Sequence, residues 1–223
     1  MRLTPLHRRL LADVLAVGAP YQLVLTDGYA VQAHGLADRL SQDLDVATEH
    51  PAAMKEIAEA LTAGLTERGW QVHEVEVVPL SGRLVVTDPE TGESCEVDVL
   101  KEHLWKPAVQ LEFGPVLRVD VVVGTKMRAL ADRGYARDLI DVQAAARWFS
   151  HRDLEDLGRR HARDTFDLAE LRDRLADADW IDDAEFAAYG LDGDAIAGLR
   201  TWAQEWVGDL DRRLAAEGDY EDG

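Results

Sequence analysis

The segment Arg39-Leu40-Ser41-Gln42-Asp43-Leu44-Asp45-Val46 sets two acids on either side of a single leucine. Side chains alternate across an extended strand, so Ser41, Asp43 and Asp45 are predicted to share one face while Leu44 and Val46 turn to the core. Carboxylates about 7 Å apart along one strand oppose each other unless they are protonated, salt-bridged, or neutralised by a cation such as magnesium. A third acid, Asp98, stands in Cys95-Glu96-Val97-Asp98-Val99-Leu100, where the flanking valines face one way and the acid the other. Were the two strands neighbours, three carboxylates would converge on one cation-sized volume, as two-metal phosphoryl transfer requires. An alternating edge strand produces the same pattern with no chemistry attached.

Two further groups extend the pattern. Asp27-Gly28-Tyr29-Ala30 follows an apolar run and opens a helix, which places backbone amides to approach a phosphate with Gly28 as the close-approach residue. A plain turn makes the same demand for glycine. Farther along, Lys126 and Arg133 lie seven apart on one predicted helix, and Asp138 and Asp141 three apart on the next, so each pair shares a face. A lysine there supplies a compact positive charge for triphosphate oxygens, with Asp141 to orient it or a ribose. The alternative is an interhelical salt-bridge network with no chemistry.

The elements that must hold these residues follow from periodicity and turn residues. A helix is predicted over 6–15, a strand over 21–26, a short helix over 29–36, a strand over 43–47 and an amphipathic helix over 51–69. Strands follow over 71–78, 83–87 and 95–100, the last two joined through Asp88-Pro89-Glu90-Thr91-Gly92-Glu93 as a hairpin. From Val119 onward the pattern is helical, over 120–132, 136–149, 151–161, 167–176, 182–188 and 192–216. The fold class is therefore mixed α+β: a small mixed sheet flanked by helices in residues 1–118, and a helical domain, 119–223, that completes the site. Trp180, Trp202 and Trp206 have spacings suited to helix packing, and Cys95 turns to the sheet core. His34, His103 and His161 lack the spacing of metal ligands.

The 223 residues are 47% hydrophobic and 30% charged, which excludes a disordered or low-complexity chain. One cysteine leaves no intramolecular disulfide, and no apolar run suits a signal segment or a membrane span, so a soluble, cytoplasmic protein with no membrane partner is expected. The net charge of -19 argues against broad phosphate binding, and the acidic excess is concentrated in residues 151–223, with 9 basic against 21 acidic side chains. Contact with RNA is thus expected to be local, along a strip of Arg128, Arg133, Arg137, Arg159, Arg160 and Arg163.

Taken together, the strand and glycine turn, His34-Gly35, Arg39-x-Ser41-x-Asp43-x-Asp45, Asp98 in a strand, Lys126, and Arg137-Asp138-x-x-Asp141 resemble the AbiEii/AbiGii toxin nucleotidyltransferases of the polymerase-beta-like superfamily. The likeness covers about residues 20–150. It implies metal-dependent transfer of a nucleoside monophosphate from a nucleoside triphosphate to an acceptor hydroxyl, on a transfer RNA 3′ end or a protein, with a cognate antitoxin as a possible partner. Carried over, Asp43, Asp45 and Asp98 hold Mg2+ or Mn2+, and Asp98 helps to deprotonate the attacking hydroxyl. Gly28, Arg39 and Ser41 lie near the nucleotide phosphates, Lys126 neutralises the triphosphate, and Asp141, with Arg137 and Asp138, supports the lysine and nucleotide. Relatives often begin the phosphate turn with two glycines, where this chain has Asp27-Gly28. That departure keeps open a weakened module that binds nucleotide or antitoxin, beside a transferase acting on a small molecule such as an antibiotic.

Overall fold

The computed structural model describes residues 3–37, 41, 43–162 and 165–221, with side chains described as far as residue 216. Arg39 and Arg163 of the sequence reading lie outside these residues. The chain divides into two compact units, Met1–Val122 and Val123–Gly223.

The first unit is built on a mixed seven-stranded sheet of order β3-β4-β5-β2-β1-β7-β6. Its strands are β1 (Val24–Leu25), β2 (Leu44–Thr48), β3 (Gln71–Val78), β4 (Ser81–Thr87), β5 (Ser94–Lys101), β6 (Val109–Leu111) and β7 (Gly114–Val116). β2 runs parallel to β5 and antiparallel to β1, while β3, β4 and β5 form an antiparallel meander. Helices α1 (Pro5–Val17), α2 (Asp27–Ala33) and α3 (Met54–Glu67) accompany the sheet. α1 packs on α3, and α3 lies on β3 and β4. The core is aliphatic: Leu44 and Val46 of β2, Val97 and Val99 of β5, Leu10 of α1 and Ile57 and Leu61 of α3 are all 0% exposed.

Three elements depart from the sequence expectation. The strand predicted over 21–26 contracts to Val24–Leu25 because Ala19–Tyr21 form a 3-10 turn with Pro20 inside it and Gln22 takes φ of 54°, which no strand tolerates. The hairpin β6–β7 was not expected at all. Its strands are three residues each and carry Gly114 and Pro115, so neither composition nor period marks them. The helix predicted from Pro51 begins at Met54, since the Lys101 ammonium binds the carbonyls of His50 and Ala52 and holds that approach extended.

The second unit is helical among its described residues. α4 (Val119–Arg133) crosses the division between units, followed by α5 (Ala136–Ala145), α6 (His151–His161), α7 (Leu168–Ala176), α8 (Asp183–Ala187) and α9 (Gly193–Glu221). Ser150 and Asp153 form a reciprocal capping box that starts α6. α7, α5 and α8 each pack on α9. Trp206, 0% exposed, donates its indole N–H to the buried Glu155, whose carboxylate also receives two hydrogen bonds from Arg213 at 2.7 and 2.6 Å. Trp206 is thus a core residue as expected and Trp202 is half-buried, but Trp180 is 87% exposed. It follows a short 3-10 turn, Asp177–Asp179, instead of a helix face, so helical spacing misplaced it.

Candidate active site

Asp45 of β2, Glu96 and Asp98 of β5 and Arg83 of β4 build a charged face on the first unit, with Asp43 just ahead of β2. Parallel pairing sets Asp45 of β2 directly beside Asp98 of β5, and Leu44 beside Val97. In-register neighbours share a face, so Asp45 and Asp98 lie together, opposite the fully buried valines, with strands about 4.8 Å apart. Asp43 sits two residues upstream, immediately before β2. β4 extends the row, since Arg83 is the cross-strand partner of Asp98. Its guanidinium donates from Nε to Oδ1 at 2.8 Å and from Nη2 to Oδ2 at 2.7 Å, and also lies 3.5 Å from Glu96. On the other side, the backbone N–H of Thr26, just past β1, donates to the carbonyl of Asp45 at 3.0 Å. The strand that ends in the Asp27-Gly28 turn is thereby tied to the strand that carries the acids.

The charges of this face act on the exposed Arg83 and on the buried Cys95. Bonding to Asp98, reinforced by the charges of Asp98, Glu96 and Asp43, raises the pKa of Arg83 against a smaller opposing effect of desolvation. Burial pushes the Cys95 thiol up to about 12, and the charges of Asp43, Asp45 and Glu96 add to this. Cys95 is 3% exposed, lies outside any disulfide and donates its thiol to the Glu96 carbonyl at 3.2 Å.

α2 anchors the approach to the acids from the other side. Tyr29, 1% exposed, donates its hydroxyl proton to the Ser41 carbonyl at 3.1 Å. With that single proton committed, the 2.7 Å contact to His7 Nδ1 requires the imidazole to donate. Ser41 in turn donates its hydroxyl to the Asp43 carbonyl at 3.3 Å. Burial, followed by the charges of Cys95 and Asp43, raises the Tyr29 pKa. Asp27, at the head of α2, has φ of 47°. That left-handed conformation explains why glycine suits the position and why an aspartate, whose short polar side chain tolerates it, can stand there. Gly28 is buried in the same turn. His34 bonds the Leu117 carbonyl through Nε2 at 2.6 Å.

In the second unit the two predicted helix faces do meet. Lys126 Nζ of α4 lies 3.0 Å from Asp141 Oδ2 of α5, with side chains 4% and 0% exposed. Arg133 donates to both oxygens of the fully buried Asp138, at 2.8 and 3.1 Å. Arg137 is half-buried, and its Nε finds no hydrogen-bond partner among the described residues. The arginine strip is largely committed within this unit: besides Arg133, Arg128 donates to the His161 carbonyl at 3.4 Å and Arg159 to Asp156 at 2.8 Å.

Sequence reasoning missed Arg83 and Tyr29. Arg83 was within reach of the hairpin alone, because counting back four residues on each side from the Thr87–Ser94 pair at the turn arrives at Arg83 and Asp98. Tyr29 gave no such signal, for its partners His7 and Ser41 are distant in sequence. Among the described residues, no three His, Cys, Asp or Glu side chains are gathered closely enough to cage a metal ion. The clasp of Arg83 on Asp98 is the visible reason that this acid turns toward β4.

Residues 9–221 match the family described as nucleotidyl transferase AbiEii toxin, type IV toxin-antitoxin system. The chain belongs to this family of nucleotidyltransferase toxins. Its fold is similar to that of JHP933 from Helicobacter pylori, at 17% identity and a TM-score of 0.56 over 99% of this chain and 100% of that one. It is similar also to the nucleotidyltransferase toxin MenT4 of Mycobacterium tuberculosis, at 16% identity and a TM-score of 0.55 over 94% and 91% of the two chains. No curated protein matches the chain. The family implies a nucleotide substrate and an antitoxin partner. No helix of the described residues is long and apolar enough to cross a membrane.

Proposed function

We propose that the protein transfers a nucleoside monophosphate from a nucleoside triphosphate to a hydroxyl at an RNA 3′ end, transfer RNA being the acceptor the family likeness suggests. The observation that supports this most is the register of Asp45 with Asp98, with Asp43 just upstream and the glycine turn bonded to the same strand. The hard oxygen donors suit magnesium or manganese, which commonly bind through one or two carboxylates together with substrate phosphates. Asp43 and Asp45 are the residues to hold the cation, and Asp98, clasped by Arg83, is the third carboxylate of the row. A divalent cation, when bound, neutralises phosphate oxygens and makes pyrophosphate a better leaving group.

The remaining roles fall to the chain's own groups. In the transfer, the acceptor oxygen bonds to the α-phosphorus as the bond from that phosphorus to the bridging oxygen breaks; pyrophosphate departs and the hydroxyl proton passes to Asp98. Ser41 and the amides around Gly28 position phosphate oxygens, and Arg39 is assigned to nucleotide binding by the family likeness alone. Lys126, fixed by Asp141, supplies positive charge to the triphosphate, and Arg137 and Asp138 support the nucleotide. The experiment is transfer of label from each α-labelled triphosphate, with magnesium, to transfer RNA or to a protein extract. Label on RNA that disappears in Asp43→Ala is the expected result. Label on protein instead would correct the acceptor. Triphosphate binding without transfer to any acceptor would support the weakened module, a reading favoured by the carboxylate of Asp27 at the phosphate turn.

A further inference from the structure

The chain has three left-handed residues other than glycine among those described: Gln22, Asp27 and Trp105, at φ of 54°, 47° and 56°. Asp27 belongs to the site above. The other two line one cleft of about 420 Å³ in the first unit, at the opposite ends of β1 and β2 from the acids. Sparsely populated backbone persists where its surroundings enforce it, and it concentrates at ligand sites. Here the enforcement is visible. The Lys106 N–H donates to the Leu104 carbonyl, closing a three-residue turn with Trp105 at its apex, while the Leu104 N–H donates to Glu49 Oε1 at 2.7 Å.

The turn holds a large flat surface out toward solvent. Trp105 is 50% exposed, and the His103 ring braces it edge-on, with centroids 4.6 Å apart and planes at 66°. Val24 and Pro107 give the cleft apolar walls, and the Gln22 amide stands at its rim. An organic cation is the weaker fit, because the Glu49 carboxylate is already engaged by His103 and by the Leu104 amide. A neutral planar ring with polar edges matches a braced indole, apolar walls and an amide rim. The cleft, at about 420 Å³, has the size of a single small ligand such as one nucleotide. Lys106 and Arg118 lie close by on a shared carboxylate, Asp120, so two cations face one acid where a phosphate backbone would pass.

We propose that this cleft binds a nucleobase of single-stranded RNA, stacked on Trp105, as a second contact for the acceptor. The choice of ligand rests on the RNA reading of the function. Asp43 and Glu49 are six residues apart, about 20 Å along an extended chain, so a few nucleotides separate the two sites.

The test is fluorescence anisotropy of a labelled single-stranded RNA of about eight nucleotides with the full chain, in the absence of triphosphate and divalent cation. Trp105→Ala is expected to weaken binding about tenfold or more, the loss that removal of one stacking aromatic produces, and Trp105→Phe to keep affinity within about threefold of the parent, since a π face remains. Melting curves of both variants, matched to the parent, separate loss of the ledge from loss of the fold. Equal affinity for parent and Trp105→Ala overturns the inference, as does a parent that fails to bind the RNA, or a Trp105-dependent site that takes an arginine-rich peptide and not RNA. Because no transfer is measured, its failure is distinct from that of the proposed function: the stack can fail while label still reaches RNA, and the reverse.

Discussion

Arg83 controls what Asp98 can do. Both Asp98 oxygens accept from one guanidinium, so a cation seeking a third carboxylate must compete with it. Arg83 is 48% exposed and Asp98 17%, and a pair this open to water is worth no more than about 1 kcal/mol. Arg83→Gln is therefore expected to tighten manganese affinity a few-fold, read by calorimetric titration, and an unchanged or weaker affinity would detach Asp98 from the cation. The Lys126–Asp141 pair is the opposite case. With both side chains nearly inaccessible, Asp141→Ala leaves an ammonium buried beside a lost partner, at a cost of about 3–5 kcal/mol in denaturant unfolding. Lys126→Met with Asp141→Asn removes both charges at similar volume and is expected to recover part of that stability without recovering transfer. If the double variant transfers label as the parent does, the pair is structural only.

At the scale of elements, close approach decides which helices can pair. A Cβ at Gly124 of α4 would come within 2.1 Å of the His161 ring at the end of α6. Gly124→Ala is expected to cost about 1–3 kcal/mol by overpacking, measured as a lower urea midpoint. A neutral result would show that α6 yields. Much of this architecture is legible in the sequence where a period is long: the helices after Val119 and the strands of the β3–β5 meander carry their own patterns. The acids are legible too, as an alternation, but their juxtaposition is not. β2 and β5 pair across some fifty residues, and nothing local encodes a long-range parallel pairing. Arg83 lay within reach because a hairpin fixes its own register from the turn. Short elements fail for the converse reason, as β6 and β7 show, and Trp180 shows that spacing alone cannot tell a helix face from the turn that ends it.

Across the whole molecule, charge and burial act together. With a net charge of -19, attraction of nucleic acid cannot come from the protein's overall field, so the proposed RNA acceptor would have to be held by local sites such as the Trp105 cleft. Burial also sets an alkaline limit. Cys95 and Tyr29 are both raised above their ordinary values of 9.0 and 10.0, the thiol to about 12. Well below pH 9 both groups hold their protons in the folded and the unfolded chain, and their contribution is full. As pH rises beyond that, the unfolded chain loses these protons first, so stability falls by up to about 1.4 kcal/mol per pH unit for each group. Urea unfolding of the parent and of Cys95→Ala between pH 8 and 11 checks this, on a scale of about one to two such increments. The parent should lose stability more steeply, and parallel curves would show that the thiol titrates normally.

Whether Asp43 and Asp45 hold the cation used in nucleotide transfer is decided by electron paramagnetic resonance titration of manganese into the protein with a non-hydrolysable triphosphate. Bound manganese in the parent, lost in Asp43→Asn and in Asp45→Asn with folding unchanged by circular dichroism, is the expected result. Manganese that stays bound through both substitutions, or a parent that binds none, would remove these acids from the cation site.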